Sequence, residues 1–63
     1  MKTIITEITV IGRQVFTTYN RNGMEYDGFS VHNTIKEAEA EAERLLNIFD
    51  ADFISGTKEI IFK

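Results

Sequence analysis

The side chain with the widest chemical range in this chain is His32, its only imidazole. It stands two positions after Ser30, so in an extended segment both side chains share a face and a hydroxyl comes near a base. Nucleophilic catalysis also needs an acid that orients the imidazole, and spacing alone supplies none. A loop or capping histidine is the reading this context favours. Asp50 and Asp52 flank Ala51 and offer carboxylate oxygens to a hard cation, but calcium takes about six or more oxygens and nothing nearby completes the set. A polar turn is expected there. No catalytic, cofactor-binding or metal-ligating residue is therefore assigned, no cofactor is implied, and the chain is expected not to be an enzyme.

Two constellations suit binding instead. Phe16, Tyr19, Tyr26 and Phe29 place aromatic rings along two neighbouring β-rich runs, and such a strip can stack unpaired bases. That makes single-stranded nucleic-acid binding the alternative function, although no Lys or Arg interleaves the rings. The second constellation is the run Glu37, Glu39, Glu41 and Glu43. Glu37 with Glu41, and Glu39 with Glu43, are like-charged pairs one helical turn apart, partly offset by Lys36, Arg44 and the helix dipole. A solvated helix face is the ordinary meaning of such a run. A docking surface for a basic partner, centred on Glu37 and Glu41, is the functional one.

These residues sit in a chain of 63 residues, short enough for one small domain whose core is near the lower limit of sufficiency. There is no cysteine, hence no disulfide and no thiolate metal site, and a single histidine does not make a zinc site. Apolar residues make up 43% of the chain, including five Phe, which suits a folded protein rather than a disordered one. The net charge of -3 and the lack of clustered Lys and Arg argue against duplex nucleic acid. The N-terminal run from Met1 to Glu7 is broken by Thr and Glu, so it does not read as a signal peptide, and no stretch reaches the roughly 20 apolar residues of a membrane span. A cytoplasmic protein and a complete small reading frame are the expectations.

The elements that must position these groups can be read in order. Thr3 to Ile11 is β-branched and reads as a strand with Ile4, Ile8 and Val10 on one side and Ile5, Glu7, Thr9 and Ile11 on the other. Gly12-Arg13 suits a type II′ hairpin turn. A two-residue turn sets Val10 opposite Val15, and a three-residue loop sets it opposite Phe16; pattern alone leaves that register open. Gln14 to Tyr19 is the second strand. Asn22-Gly23 favours a type I′ turn, and counting back from it Tyr19 faces Tyr26 and Phe16 faces Phe29. The third strand runs from Met24 to Val31, with Gly28 marking a bulge or a close approach.

Thr34 to Phe49 alternates Glu and Ala, which resembles strand periodicity. Ala and Glu are strong helix formers, however, and Ile35, Ala38, Ala42, Leu45, Leu46 and Phe49 recur at helical spacing. An amphipathic helix follows, opened by a capping box from Thr34 to Glu37 and ending at Asn47 or as late as Asp50. Beyond it, Ile60-Ile61-Phe62 reads as a fourth strand. Phe53-Ile54 is either its extension across a bulge at Gly56 or part of the connection.

Asp27-Gly28-Phe29, then Asn33-Thr34-Ile35-Lys36-Glu37-Ala38 and Ala42, resemble the N-terminal domain of HicB-like antitoxins. Those domains have a β-β-β-α-β layout, an acidic-Gly-aromatic step in the third strand and a helix opening as polar-Thr-hydrophobic-x-Glu-Ala. The resemblance covers about half the chain and implies action by protein binding. The proline-rich approach to the helix and the C-terminal DNA-binding segment of that family have no counterpart here.

The expected fold is a two-layer α+β domain, β-β-β-α-β, with an antiparallel sheet and one helix across one face. Apolar residues on both faces of that sheet leave one uncovered by the helix, so a partner or self-association is expected. The expected function is a small interaction module or regulator, phage or bacterial, antitoxin- or inhibitor-like, binding another protein or itself as a homo-oligomer. Its expected contact residues are Phe16, Tyr19, Tyr26, Phe29, Glu37 and Glu41.

Overall fold

A computed structural model describes residues 2–63; Met1, read above as the start of a complete frame, lies outside them. The order is β1 (Thr3–Ile11), β2 (Gln14–Arg21), β3 (Met24–Val31), α1 (Ile35–Leu46), β4 (Phe53–Ser55) and β5 (Ile61–Phe62). The strands form one sheet in the order β3-β2-β1-β4, with β5 also paired to β1. One helix covers one face, as a two-layer α+β fold requires.

The turn chemistry sets the hairpin registers. Ile11 pairs with Gln14 and Val10 with Val15, so the first turn has two central residues. Only Gly12 of those two takes a positive φ, 59°, as type II′ demands. At the second turn both Asn22 (φ 57°) and Gly23 (φ 79°) are left-handed, as in type I′. The Asn20 side chain accepts the Gly23 amide at 3.1 Å and closes that loop. Phe16 then faces Phe29 and Tyr19 faces Tyr26 in an unbroken ladder. No bulge occurs at Gly28. A Cβ there would meet a Tyr19 ring carbon at 3.6 Å, so the ring itself shelters the glycine.

The irregularity lies in β1 instead, where the register with β2 shifts between Ile5 and Glu7. The extra residue reverses the alternation. Ile5 thereby joins Ile8 and Val10 in the core and Ile4 is left exposed, which exchanges the sides expected for Ile4 and Ile5. Ile5, Ile8, Val10 and Val15 of the sheet meet Ala38 and Ala42 of the helix. Tyr19, Leu45, Leu46, Ile48, Phe53 and Ile60 pack around them. Small residues at the contact let the helix axis come close to the sheet, and the interior is dense but thin.

Thr34 caps the helix with extended backbone, φ -137° and ψ 159°, and its hydroxyl accepts the Glu37 amide at 3.1 Å. Glu37 reaches back to the Asn33 amide at 3.2 Å, one residue before the cap. Asn47 ends the helix, the earlier of the two expected positions, and its side-chain amide donates to the Glu43 carbonyl at 2.9 Å. Phe49 therefore lies outside the helix and is 86% exposed, and Ile35 is exposed too, so the stripe that covers the sheet is shorter than its spacing implies.

The sheet is mixed rather than antiparallel. The helix carries the chain from one edge, β3, back to the starting end of the other, so β4 must run parallel to β1. Both C-terminal apolar pieces are strands on that edge: Phe53–Ser55 pairs with Thr3–Ile5, and Ile61–Phe62 pairs with Thr9–Val10. Between them the chain passes the β1 bulge at Gly56, whose amide donates to the Ile5 carbonyl at 2.8 Å. A Cβ there would lie 2.8 Å from Ile4 Cγ2, so the close approach needs glycine. Among the described residues no helix is long and apolar enough to cross a membrane.

Candidate functional site

Three places bring chemically able side chains together. The first is the junction where the chain passes from β3 to α1, where Ser30 Oγ and His32 Nε2 lie 2.9 Å apart. The His32 amide donates to the Arg13 carbonyl at 2.9 Å and fixes the strand's exit. Glu41 lies on the helix that follows. Its carboxylate is gripped by Arg44, Nε at 2.9 Å and Nη2 at 2.6 Å. Those hydrogen bonds hold the Glu41 carboxyl below its usual range, against the opposing effect of burial, and the positive charge of Arg44 acts in the same direction as the bonds. The same pairing raises the Arg44 guanidinium above its ordinary value. Among the described residues no hydrogen bond joins Glu41 to His32, so the serine and imidazole lack the third member that would orient them.

The second place is the face of the sheet that the helix does not cover. Opposed residues of a ladder share a face, so Ile61, Thr9, Phe16 and Phe29 form one row across β5, β1, β2 and β3. The Phe16 and Phe29 rings are 5.0 Å apart at 48°. Ile11 and Val31 extend the row towards the first turn, both exposed, while Phe29 is 60% exposed. On the other side the next row is Glu7, Thr18 and Asp27. Thr9 donates to the Glu7 carboxylate at 3.2 Å and Thr18 to the Asp27 carboxylate at 3.5 Å, which confirms that these groups share the open face. An apolar patch with an acidic border results.

The third place is on the helix side, where α1 packs chiefly over β1 and β2 and leaves β3 aside. Tyr19 and Tyr26 stack there with centroids 5.6 Å apart and planes at 20°. Phe53 of β4 meets Tyr19 edge-on at 6.3 Å and 67°. With Thr3 and Arg21 these rings line a cleft of about 300 Å³. Thr3 is fully buried, and its hydroxyl accepts Arg21 Nε at 2.7 Å.

The expected contact residues are thus divided. Phe16 and Phe29 stand on the open face, Tyr19 and Tyr26 on the helix face, because positions three apart in a regular strand point to opposite sides. No single strand of nucleic acid can lie on all four rings. Glu37 is engaged with the Asn33 amide and Glu41 with Arg44. Asp50 turns inward on its own loop and accepts the Ala51 amide at 2.6 Å. Among the described residues no three metal-ligating groups converge.

Residue-by-residue reading missed Arg21, Thr3 and Phe53. Arg21 had a signal: it follows Tyr19 by two positions and directly precedes the Asn22-Gly23 turn, so alternation puts it on the Tyr19 face. Phe53 had none, since it arrives through the parallel return. No protein-family profile, curated protein or solved structure matches this chain.

Proposed function

We propose that this protein is a non-enzymatic interaction module that binds another protein, or a second copy of itself, through the open face of its sheet. One observation carries the reading: Ile61, Phe16 and Phe29, with Ile11 and Val31 beside them, form a contiguous exposed apolar patch bordered by Glu7 and Asp27. A domain this small gains more from covering such a patch than from leaving it wet. The resemblance of the third strand and helix opening to HicB-like antitoxin domains agrees with a bacterial or phage regulator of that kind, working in the cytoplasm.

Sedimentation over a range of protein concentrations tests the self-association form of this reading. The expected result is a concentration-dependent dimer that Phe29→Lys shifts to monomer with the fold intact, because Phe29 is largely exposed and contributes little to the core. For a hetero-partner, the same substitution abolishes its capture. If Phe29→Lys changes neither the association state nor what the protein captures, the open face is not the interface.

A further inference from the structure

We propose that the cleft walled by Tyr19, Tyr26 and Phe53 is a binding site for a flat ring that carries a carboxylate or phosphate, with the ring held against the tyrosines and the anion on Arg21. The cleft lies on the face opposite the apolar patch and is independent of it.

The aromatic half supplies a flat, rigid surface. Tyr19 is flanked by Tyr26, nearly parallel to it, and by Phe53, edge-on, and the exposed ring of Tyr26 is the flat surface left for a planar group. The volume of about 300 Å³ is at the lower end of the range for small-molecule sites, roughly 300–1,000 Å³, enough for one ring system. Tyr26 is exposed because the helix stops short of β3, so the mouth of the cleft is open.

The polar half selects the charge. Arg21 donates its Nε to the buried Thr3 hydroxyl, which fixes the plane of the guanidinium. Its two Nη groups have no protein hydrogen-bond partner among the described residues, and they form the fork that binds carboxylate or phosphate through two parallel bonds. Arg21 is exposed and, unlike Arg44 with Glu41, is paired with no acid among the described residues. The overall charge of -3 repels an anion only weakly here, since salt screens exposed charges beyond about 8–10 Å.

The experiment is a titration followed by isotope-edited NMR, with benzoate, phenyl phosphate and adenosine 5′-monophosphate as ring-plus-anion probes. Phenol, adenosine and inorganic phosphate are the probes with one half missing. The chain has two tyrosines and no tryptophan, and both tyrosines line the cleft, so their ring resonances report on this site alone. The expected result is that at least one complete probe shifts the Tyr19 and Tyr26 rings and the Arg21 side chain. Its neutral or ringless counterpart should bind roughly tenfold or more weakly, the effect of losing a charge-assisted hydrogen-bonded contact. Preference for adenosine 5′-monophosphate over benzoate assigns a nucleotide, and the reverse assigns an aromatic acid.

Arg21→Gln should remove the difference between charged and neutral probes. If that variant does not fold, Arg21→Lys, which keeps the charge but not the fork, should give an intermediate loss. Phe29→Lys, on the other face, should leave these shifts unchanged even where it abolishes protein association, so the two proposals fail separately. Equal binding of phenol and benzoate and of adenosine and its monophosphate, or no tyrosine shift with any probe at millimolar concentration, overturns the assignment.

Discussion

At the scale of single residues, glycine separates the tightly specified positions from the tolerant ones. A Cβ at Gly56 would stand 2.8 Å from Ile4 Cγ2 and 3.3 Å from the Ile5 carbonyl oxygen, where β4 passes the bulge. Gly56→Ala is expected to cost about 1–3 kcal/mol, the range of overpacked sites, measured by urea unfolding. At Gly28 the same methyl meets only ordinary contacts at 3.6 Å, from Thr17 and Tyr19. Gly28→Ala is therefore expected to be neutral or to stabilise by about 0.4–1 kcal/mol, chiefly by restricting the unfolded chain. The opposite ordering would mean that the chain leaving β4 does not pass the β1 bulge where the structure places it. Both glycines looked like interruptions of a strand in the sequence; the difference between them depends on what packs against each.

At the scale of elements, the helix is held by local chemistry at both ends and by two alanines in the middle. Its surface ion pair, Glu41 with Arg44, spans three residues with the Arg44 side chain well exposed, so its contribution is discounted for screening to about 0.3–0.5 kcal/mol. The Glu41 carboxyl is lowered in the folded state, so the pair contributes above the unfolded pKa of that group and its contribution is lost as pH falls through the folded value. Glu41→Gln is thus expected to lower stability slightly at neutral pH. The difference from the parent should vanish in acid below the carboxylate range, as read from paired denaturant curves. A difference that persists there would show that Glu41 matters through packing rather than charge.

This helix was legible in the sequence because its signals are local. Thr34 and Glu37 are one turn apart, and Ala38 and Ala42 sit on one stripe. Its length was less legible: Ile35 and Phe49 fit the stripe by spacing, but the first turn overhangs the sheet and Asn47 stops the helix before Phe49.

At the scale of the whole molecule, the core is small and shared among three elements. Ile8 is fully buried between β2 and the helix alanines, so Ile8→Ala is expected to cost about 2–5 kcal/mol, large against the roughly 5–15 kcal/mol of a typical domain. Loss of the cooperative thermal transition, or a fall in the urea midpoint by a large fraction, is the expected outcome; a change below about 1 kcal/mol would place Ile8 outside the core. The apolar surface that the core does not absorb is on the open face. That distribution, a thin interior beside an exposed aromatic row, is the physical ground for association.

What the sequence determined by itself is what neighbours within a few residues decide. Gly12 and Asn22-Gly23 select their turn types, the second turn sets Tyr19 against Tyr26 and Phe16 against Phe29, and Thr34 starts the helix. Tertiary structure decided the rest. The bulge after Ile5 puts Ile5 rather than Ile4 in the core with Ile8 and Val10, and no local pattern records it. The parallel direction of β4 and β5 follows from the helix crossing the sheet. The division of the four aromatic residues between two faces, and the meeting of Tyr19 with Phe53 and of Arg21 with Thr3, depend on contacts between residues distant in the chain. Their energies are realised only when the whole sheet has closed.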